Sequence, residues 1–273
     1  MHVLAALLSA LVLLTPGGRS VAERPFPVAT GGGLVLAGTL TVPRGPGPYP
    51  AAVLVGGFGP ENRDGSFGRA GDGGYRALAI GLARRGVAVL RYDKRGIGGS
   101  GGPTLSWLDA RPLAIDAAAE ARALAALPGV DPRRLALVGH SQGGDLALQA
   151  ARVAPVTRVV TISAPGRPLG RLPFISSGAA GRILDRLAGP GVSRATLARD
   201  PRRDAVRVRQ PVLLVHGTRD RTVPISDMAR LAGARRAAGL PTRTLRLPGS
   251  GHLFEAGDPT PVAMVDAVAA FIR

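Results

Sequence analysis

Three separated segments of this 273-residue chain carry side chains whose types and order suit nucleophilic acyl transfer. The first is Gly139-His-Ser141-Gln-Gly143, a serine between glycines that sits after one apolar run and before a helical one. A serine hydroxyl is a weak nucleophile. It needs a base to take its proton, and the base needs an acid to fix its tautomer. Downstream of Ser141 the only histidines are His216 and His252. His216 ends an apolar strand and reads as a structural hydrogen-bonding residue. His252 lies in Pro248-Gly-Ser-Gly-His252, a flexible loop able to present an imidazole over a sheet edge, so it is the expected base. The expected acid is Asp220, in His216-Gly-Thr-Arg-Asp220, with Asp227 in reserve and expected instead to cap the helix it opens. Since the base must be neutral to act, the rate is expected to fall as pH drops through an imidazole titration, near about 6.5 for an unperturbed histidine.

The same pattern of glycines recurs at Gly98-Gly-Ser100-Gly-Gly102, but Ser100 lies in a glycine-rich loop with no helix directly behind it. A nucleophile at a sharp strand-to-helix turn needs small neighbours and benefits from the positive end of the following helix. Ser141 has both, with Gly139, Gly143 and Gly144 around it. Two backbone donors should stabilise the oxyanion of such a reaction. One is the N–H of Gln142, the residue after the nucleophile. The other comes from the loop Gly56-Gly-Phe58-Gly59 and is assigned to the N–H of Phe58.

These loops require a sheet to hold them. Short apolar runs at 51–55, 87–92, 135–138, 158–163, 212–216 and 242–247 read as strands. Segments with helical spacing at 75–85, 113–127, 143–153, 227–238 and 263–273 alternate with them. Two more strands, 26–29 and 34–42, flank the turn Thr30-Gly-Gly-Gly33. Such alternation predicts an α/β fold: a mostly parallel twisted sheet with helices on both faces. The Gly-, Pro- and Arg-rich stretch 166–210 breaks the rhythm and is expected to form a small helical lid insertion, with a short helix at 181–187.

The formal charge of +17 is nearly all arginine, Lys94 being the sole lysine. The basic residues are scattered and lack aromatic interleaving, which favours a solvated surface over a nucleic-acid function. There is no cysteine, which excludes disulfides and thiolate metal sites. The apolar run Met1 to Leu14, broken by Thr15-Pro-Gly-Gly18 and followed by Ser20-Val-Ala22, reads as a signal peptide spanning 1–22. It is too short for a stable membrane span. The expectation is a mature domain of residues 23–273 that is secreted or held in the periplasm or cell envelope.

With these motifs in hand, the chain resembles the α/β-hydrolase superfamily. It looks especially like the bacterial esterase-like and dienelactone-hydrolase-like branch related to serine aminopeptidases. The resemblance runs from about 26 to 273 and rests on Gly38-Thr-Leu-Thr-Val-Pro43, Gly57-Phe-Gly-Pro-Glu-Asn-Arg-Asp-Gly65, Leu90-Arg-Tyr-Asp-Lys-Arg-Gly-Ile-Gly-Gly-Ser100, Gly139 to Gly144, and 211–224. It implies the α/β-hydrolase fold and a serine hydrolase that cleaves carboxylic esters of small to medium acyl groups through an acyl-enzyme. No metal or organic cofactor is implied, and the expected partner is a small-molecule ester. Gly56 departs from the histidine that many relatives carry there. The alternatives with the same three side chains are a serine aminopeptidase or amidase, with Asp185, Asp200 or Asp204 binding a substrate amine, and an acyltransferase.

Overall fold

In a computed structural model, residues 11–13, 20–66, 73–103, 109–176, 195–252 and 261–273 are described. Six parallel strands form the centre of one sheet, in the order β7 (Ala88–Tyr92), β6 (Tyr49–Val55), β8 (Val130–His140), β9 (Arg158–Ile162), β10 (Val212–Gly217) and β11 (Thr242–Leu247). At the β7 edge three antiparallel strands extend it: β5 (Gly38–Pro43), β2 (Val21–Pro25) and β1 (Leu11–Leu13). A separate two-stranded ribbon pairs β3 (Val28–Ala29) with β4 (Val35–Leu36).

Side-chain alternation along the strands divides the core in two. Val53, Leu137, Val159 and Leu214 face one layer, where they pack with helices α2 (Ala110–Ala125) and α3 (Gln142–Ala150) and with Met228 and Leu231 of α4 (Ser226–Ala237). Leu54, Val138, Val160 and Val215 face the other layer, against α1 (Gly74–Arg84) and α5 (Val262–Ile272). The central strands are therefore buried on both faces, and their sequences are continuous apolar runs for that reason.

The expected alternation of strands and helices is found, with shifts at the ends. The strand expected at 26–29 is shortened to β3, and that at 34–42 is split into β4 and β5. Thr30 leads into a 3-10 turn over Gly31–Gly33, in which Gly32 has φ 74°. Strand β8 starts at Val130, five residues before its apolar run. Most of the expected leader 1–22 lies outside the described residues, as does the helix expected at 181–187. Asp185 and the remainder of 177–194 are also outside them.

Arginine does more here than cover the surface. Arg91 is 2% exposed, and its guanidinium meets Asp64 at 2.8 Å, Glu23 at 3.1 Å and Thr41 Oγ1 at 2.8 Å. Arg76 of α1 binds the same Glu23 at 2.6 Å. These pairs tie β2, β5, β7 and α1 together through charge. Arg235 is fully buried and donates to the carbonyls of Ala205, Val208, Gln210 and Pro241. Burial brings its guanidinium down to about 10, still charged at neutral pH. At these two positions arginine is part of the buried structure. No helix among the described residues is long and apolar enough to cross a membrane.

Candidate active site

Strand β8 delivers His140 and Ser141 to the end of the sheet, and α3 begins on the next residue. Ser141 has φ 54° and ψ −125°, one of two non-glycine residues with positive φ among those described. So tight a turn demands close backbone approach. A Cβ on Gly139 would stand 2.1 Å from the Gly143 carbonyl oxygen, and one on Gly143 would stand 2.2 Å from that of Val55. Only glycine fits at either place, which gives the Gly-x-Ser-x-Gly spacing its physical content.

The loop after β10 brings Asp220, and the loop after β11 brings His252. His252 Nε2 lies 3.1 Å from Ser141 Oγ, and its Nδ1 lies 2.9 Å from Asp220 Oδ2. All three side chains are largely buried. Asp220 Oδ1 accepts the N–H groups of Thr222 at 3.0 Å and Val223 at 2.8 Å. Its Oδ2 also faces His216 Nε2 at 3.2 Å, whose N–H points as well to the Val223 carbonyl at 2.8 Å. Burial pushes the Asp220 carboxyl up, but hydrogen bonds from His216, His252 and Val223 outweigh it and hold the group well below the ordinary carboxylate range. A permanently ionised Asp220 places the proton of His252 on Nδ1 and leaves the Nε2 lone pair facing the serine hydroxyl.

The other expected residues fall into place unevenly. Phe58 follows Gly57 in the loop after β6, and Gln142 is the first residue of α3, where helix geometry leaves the N–H without an intrahelical acceptor. The Gly57 N–H is occupied, donating to Glu61 Oε2 at 3.1 Å and to Tyr75 Oη at 3.0 Å. Ser100 donates its hydroxyl to the Asp93 carbonyl at 2.7 Å and accepts the Ala37 N–H at 2.9 Å, a structural bracket. Asp227 does not cap its helix as expected. It is buried in the first turn, where its carboxylate meets Arg167 at 2.6 Å. Asp200 pairs with Arg202, and Asp204 with Arg152 and Arg199, so both carboxylates are already committed to arginine.

Two residues of the site have no periodic or positional signal in the sequence. His140 adjoins Ser141 and is buried. Its Nε2–H donates to the His252 carbonyl at 3.0 Å, and its Nδ1 faces Tyr75 Oη at 2.9 Å. Burial, reinforced by His252, brings this imidazole down to about 3, so it stays neutral and acts as a brace for the backbone of His252. Lys94, just past β7, donates from Nζ to the carbonyls of Gly57, at 2.7 Å, and Gly59.

Comparison with known proteins agrees with this architecture. The serine aminopeptidase (S33) family matches residues 71–189, and the prolyl oligopeptidase family matches residues 194–273. Esterase EstD of Thermotoga maritima is 32% identical over 217 residues, covering 70% of this chain and 52% of that protein, so the chain spans about half its length. An uncharacterized protein of Mycobacterium tuberculosis (strain CDC 1551) is 32% identical over 210 residues, covering 75% of this chain and 67% of that one. Among solved structures, the α/β hydrolase GrgF from Penicillium sp. sh18 superposes with a TM-score of 0.72 at 21% identity, over 92% of this chain and 97% of that one, a likeness of fold. A doubly covered parallel sheet, a serine on a strained strand-to-helix turn and these matches together lead to one assignment: the chain belongs to the α/β-hydrolase superfamily.

Proposed function

We propose that the protein is a serine carboxylesterase that cleaves esters of small to medium acyl groups through an acyl-enzyme on Ser141. The observation that carries this reading is the unbroken hydrogen-bonded line from Ser141 Oγ through the His252 imidazole to Asp220. Ser141 attacks the ester carbonyl while His252 Nε2 takes its proton, and Asp220 stabilises the imidazolium that forms. The tetrahedral oxyanion is received by the N–H groups of Phe58 and Gln142. His252 then protonates the leaving alcohol, and a water activated by the same imidazole releases the acid.

An apolar cluster of Leu169, Leu172, Ile175 and Val223, with Phe58 packed against it, is buried beside the proposed site. Val223 also donates its N–H to Asp220, so this cluster adjoins the chemistry. The similarity to Esterase EstD supports an ester as substrate. The match to the serine aminopeptidases makes an amide the competing bond. A panel of p-nitrophenyl acetate, butyrate and octanoate beside aminoacyl p-nitroanilides tests the reading, together with labelling by a fluorophosphonate. Turnover of the two shorter esters and label on Ser141 are expected; anilides cleaved in preference to every ester would overturn the ester assignment.

Export belongs to the same proposal. Removal of the leader 1–22 would make Glu23, which pairs with Arg76 and Arg91, the first residue. N-terminal sequencing of protein recovered from the cell envelope or medium is expected to begin at Glu23. Recovery of the intact leader on soluble protein inside the cell would count against it.

A further inference from the structure

Lys94 is the single lysine in a chain whose other basic side chains are all arginine, and it is 4% exposed. An ammonium group buried this deeply calls for specific partners. Its partners are the carbonyls of Gly57 and Gly59, both in the loop that follows β6. The Gly57 carbonyl belongs to the same peptide unit as the Phe58 N–H. In a trans peptide the two groups point in opposite directions. With the carbonyl turned to Lys94, the N–H is turned away from it.

We infer that Lys94 is a positioning residue for catalysis: its ammonium fixes the Gly57–Phe58 peptide so that the Phe58 N–H is aimed and polarised as an oxyanion donor. The inference rests on the hydrolase reading of Ser141. Two further observations and one chemical argument support it. Gly57 stands directly beside the nucleophile, since a Cβ built on it would lie 3.3 Å from Ser141 Cβ. The preceding peptide is pinned from the other side, where the Gly57 N–H donates to Glu61 Oε2 and Tyr75 Oη. Neither peptide flanking Gly57 is then free to rotate. Finally, a cation on a carbonyl oxygen draws electron density through the amide and strengthens its N–H as a donor.

The charged surroundings of Lys94 are few. Glu61, from the same loop, is the carboxylate that favours its charged form. The neighbours in sequence are engaged elsewhere, Asp93 with Arg63 and the Gly99 N–H, and Arg95 with Asp116. Tyr75 of α1 and His140 of β8 approach Glu61 and Gly57, and both stay neutral near pH 7 because burial holds the phenol well above its ordinary range and the imidazole at about 3. Burial brings the Lys94 ammonium down to about 8, opposed by Glu61. The charge that polarises the peptide is thus lost in mildly alkaline solution.

The test compares the wild-type chain with Lys94→Met by the second-order rate of Ser141 labelling with a fluorophosphonate, from pH 5 to 10. At pH 7 the variant is expected to label about tenfold more slowly or worse, a part of the ~100-fold that loss of a whole oxyanion donor costs. Wild-type labelling should decline above about pH 8, and the variant should lack that decline. Labelling of the variant within twofold of wild type, or a wild-type plateau reaching pH 10, overturns the inference. So does an alkaline decline that persists in the variant. Should Lys94→Met fail to fold, Lys94→Arg replaces it: a guanidinium stays charged in alkaline solution, so its labelling should lack the decline seen in wild type, and a decline that persists overturns the inference. If the wild-type chain does not label at Ser141 at all, the hydrolase reading itself has failed, a result distinct from normal labelling in the variant.

Discussion

Replacement of Ser141 by alanine is expected to lower ester turnover by about 10⁴-fold or more while leaving the fold in place. The hydroxyl is the atom to which the other groups point: His252 Nε2 lies 3.1 Å from it, and Asp220 reaches it only through that imidazole. Removing it strands no buried charge, because Asp220 keeps its bonds to His252, Thr222 and Val223. Alanine inherits the strained backbone at φ 54°, so its effect on stability should be small. Glycine separates the two properties further. Ser141→Gly removes the same nucleophile and also the steric cost of a Cβ in this conformation, so it should be equally inactive and more stable by about 1 kcal/mol. Steady-state rates with p-nitrophenyl butyrate and thermal unfolding of the three proteins provide the check. Activity retained in Ser141→Ala would move the nucleophile elsewhere, and a glycine variant less stable than alanine would deny the backbone strain.

The sequence carried this site unusually far, and the reasons are local. Ser141 was legible because the turn that holds it admits only glycine at 139 and 143, a constraint written directly into residue type. Asp220 and His252 were legible from chain order, since the ends of successive parallel strands fall on one edge of the sheet and their loops meet there. The central strands were legible as unbroken apolar runs because both faces of the sheet are covered. What escaped depends on partners distant in sequence. β2, with Glu23, Arg24 and Pro25, has no strand-like composition, and it is held by ion pairs from Arg76 and Arg91. The first half of β8, Val130-Asp-Pro-Arg-Arg134, lacks an apolar run because Pro132 and Arg133 are exposed and the buried Asp131 pairs with Arg134. Asp227 looked like a helix cap, and the Arg167 guanidinium that claims it lies 60 residues away. His140 and Lys94 are single residues whose contacts exist only once the end of β8 meets the loop after β11 and the loop after β7 meets the loop after β6.

Asp220→Asn should be nearly as damaging as loss of the nucleophile, and the hydrogen bonds around it specify why. Oδ1 accepts from the backbone N–H groups of Thr222 and Val223, so an asparagine must place its carbonyl oxygen there. Its NH₂ group then occupies the Oδ2 position, facing His252 Nδ1 at 2.9 Å and His216 Nε2 at 3.2 Å. A donor at that point forces His252 to accept through Nδ1 and to carry its proton on Nε2. The nitrogen beside Ser141 then has no lone pair to take the hydroxyl proton, and kcat should fall by about 10⁴-fold with KM little changed. His216 meets the same conflict but can keep its proton directed at the Val223 carbonyl, so the loop should stay folded. Asp220→Glu does not share the tautomer fault: it retains the charge and loses only the fit, and should recover part of the rate. Fluorophosphonate labelling should slow in parallel with turnover in Asp220→Asn, because both reactions need the deprotonated serine. A variant that labels at the wild-type rate would mean that Asp220 fixes a loop and not a proton, and that some other acid orients His252.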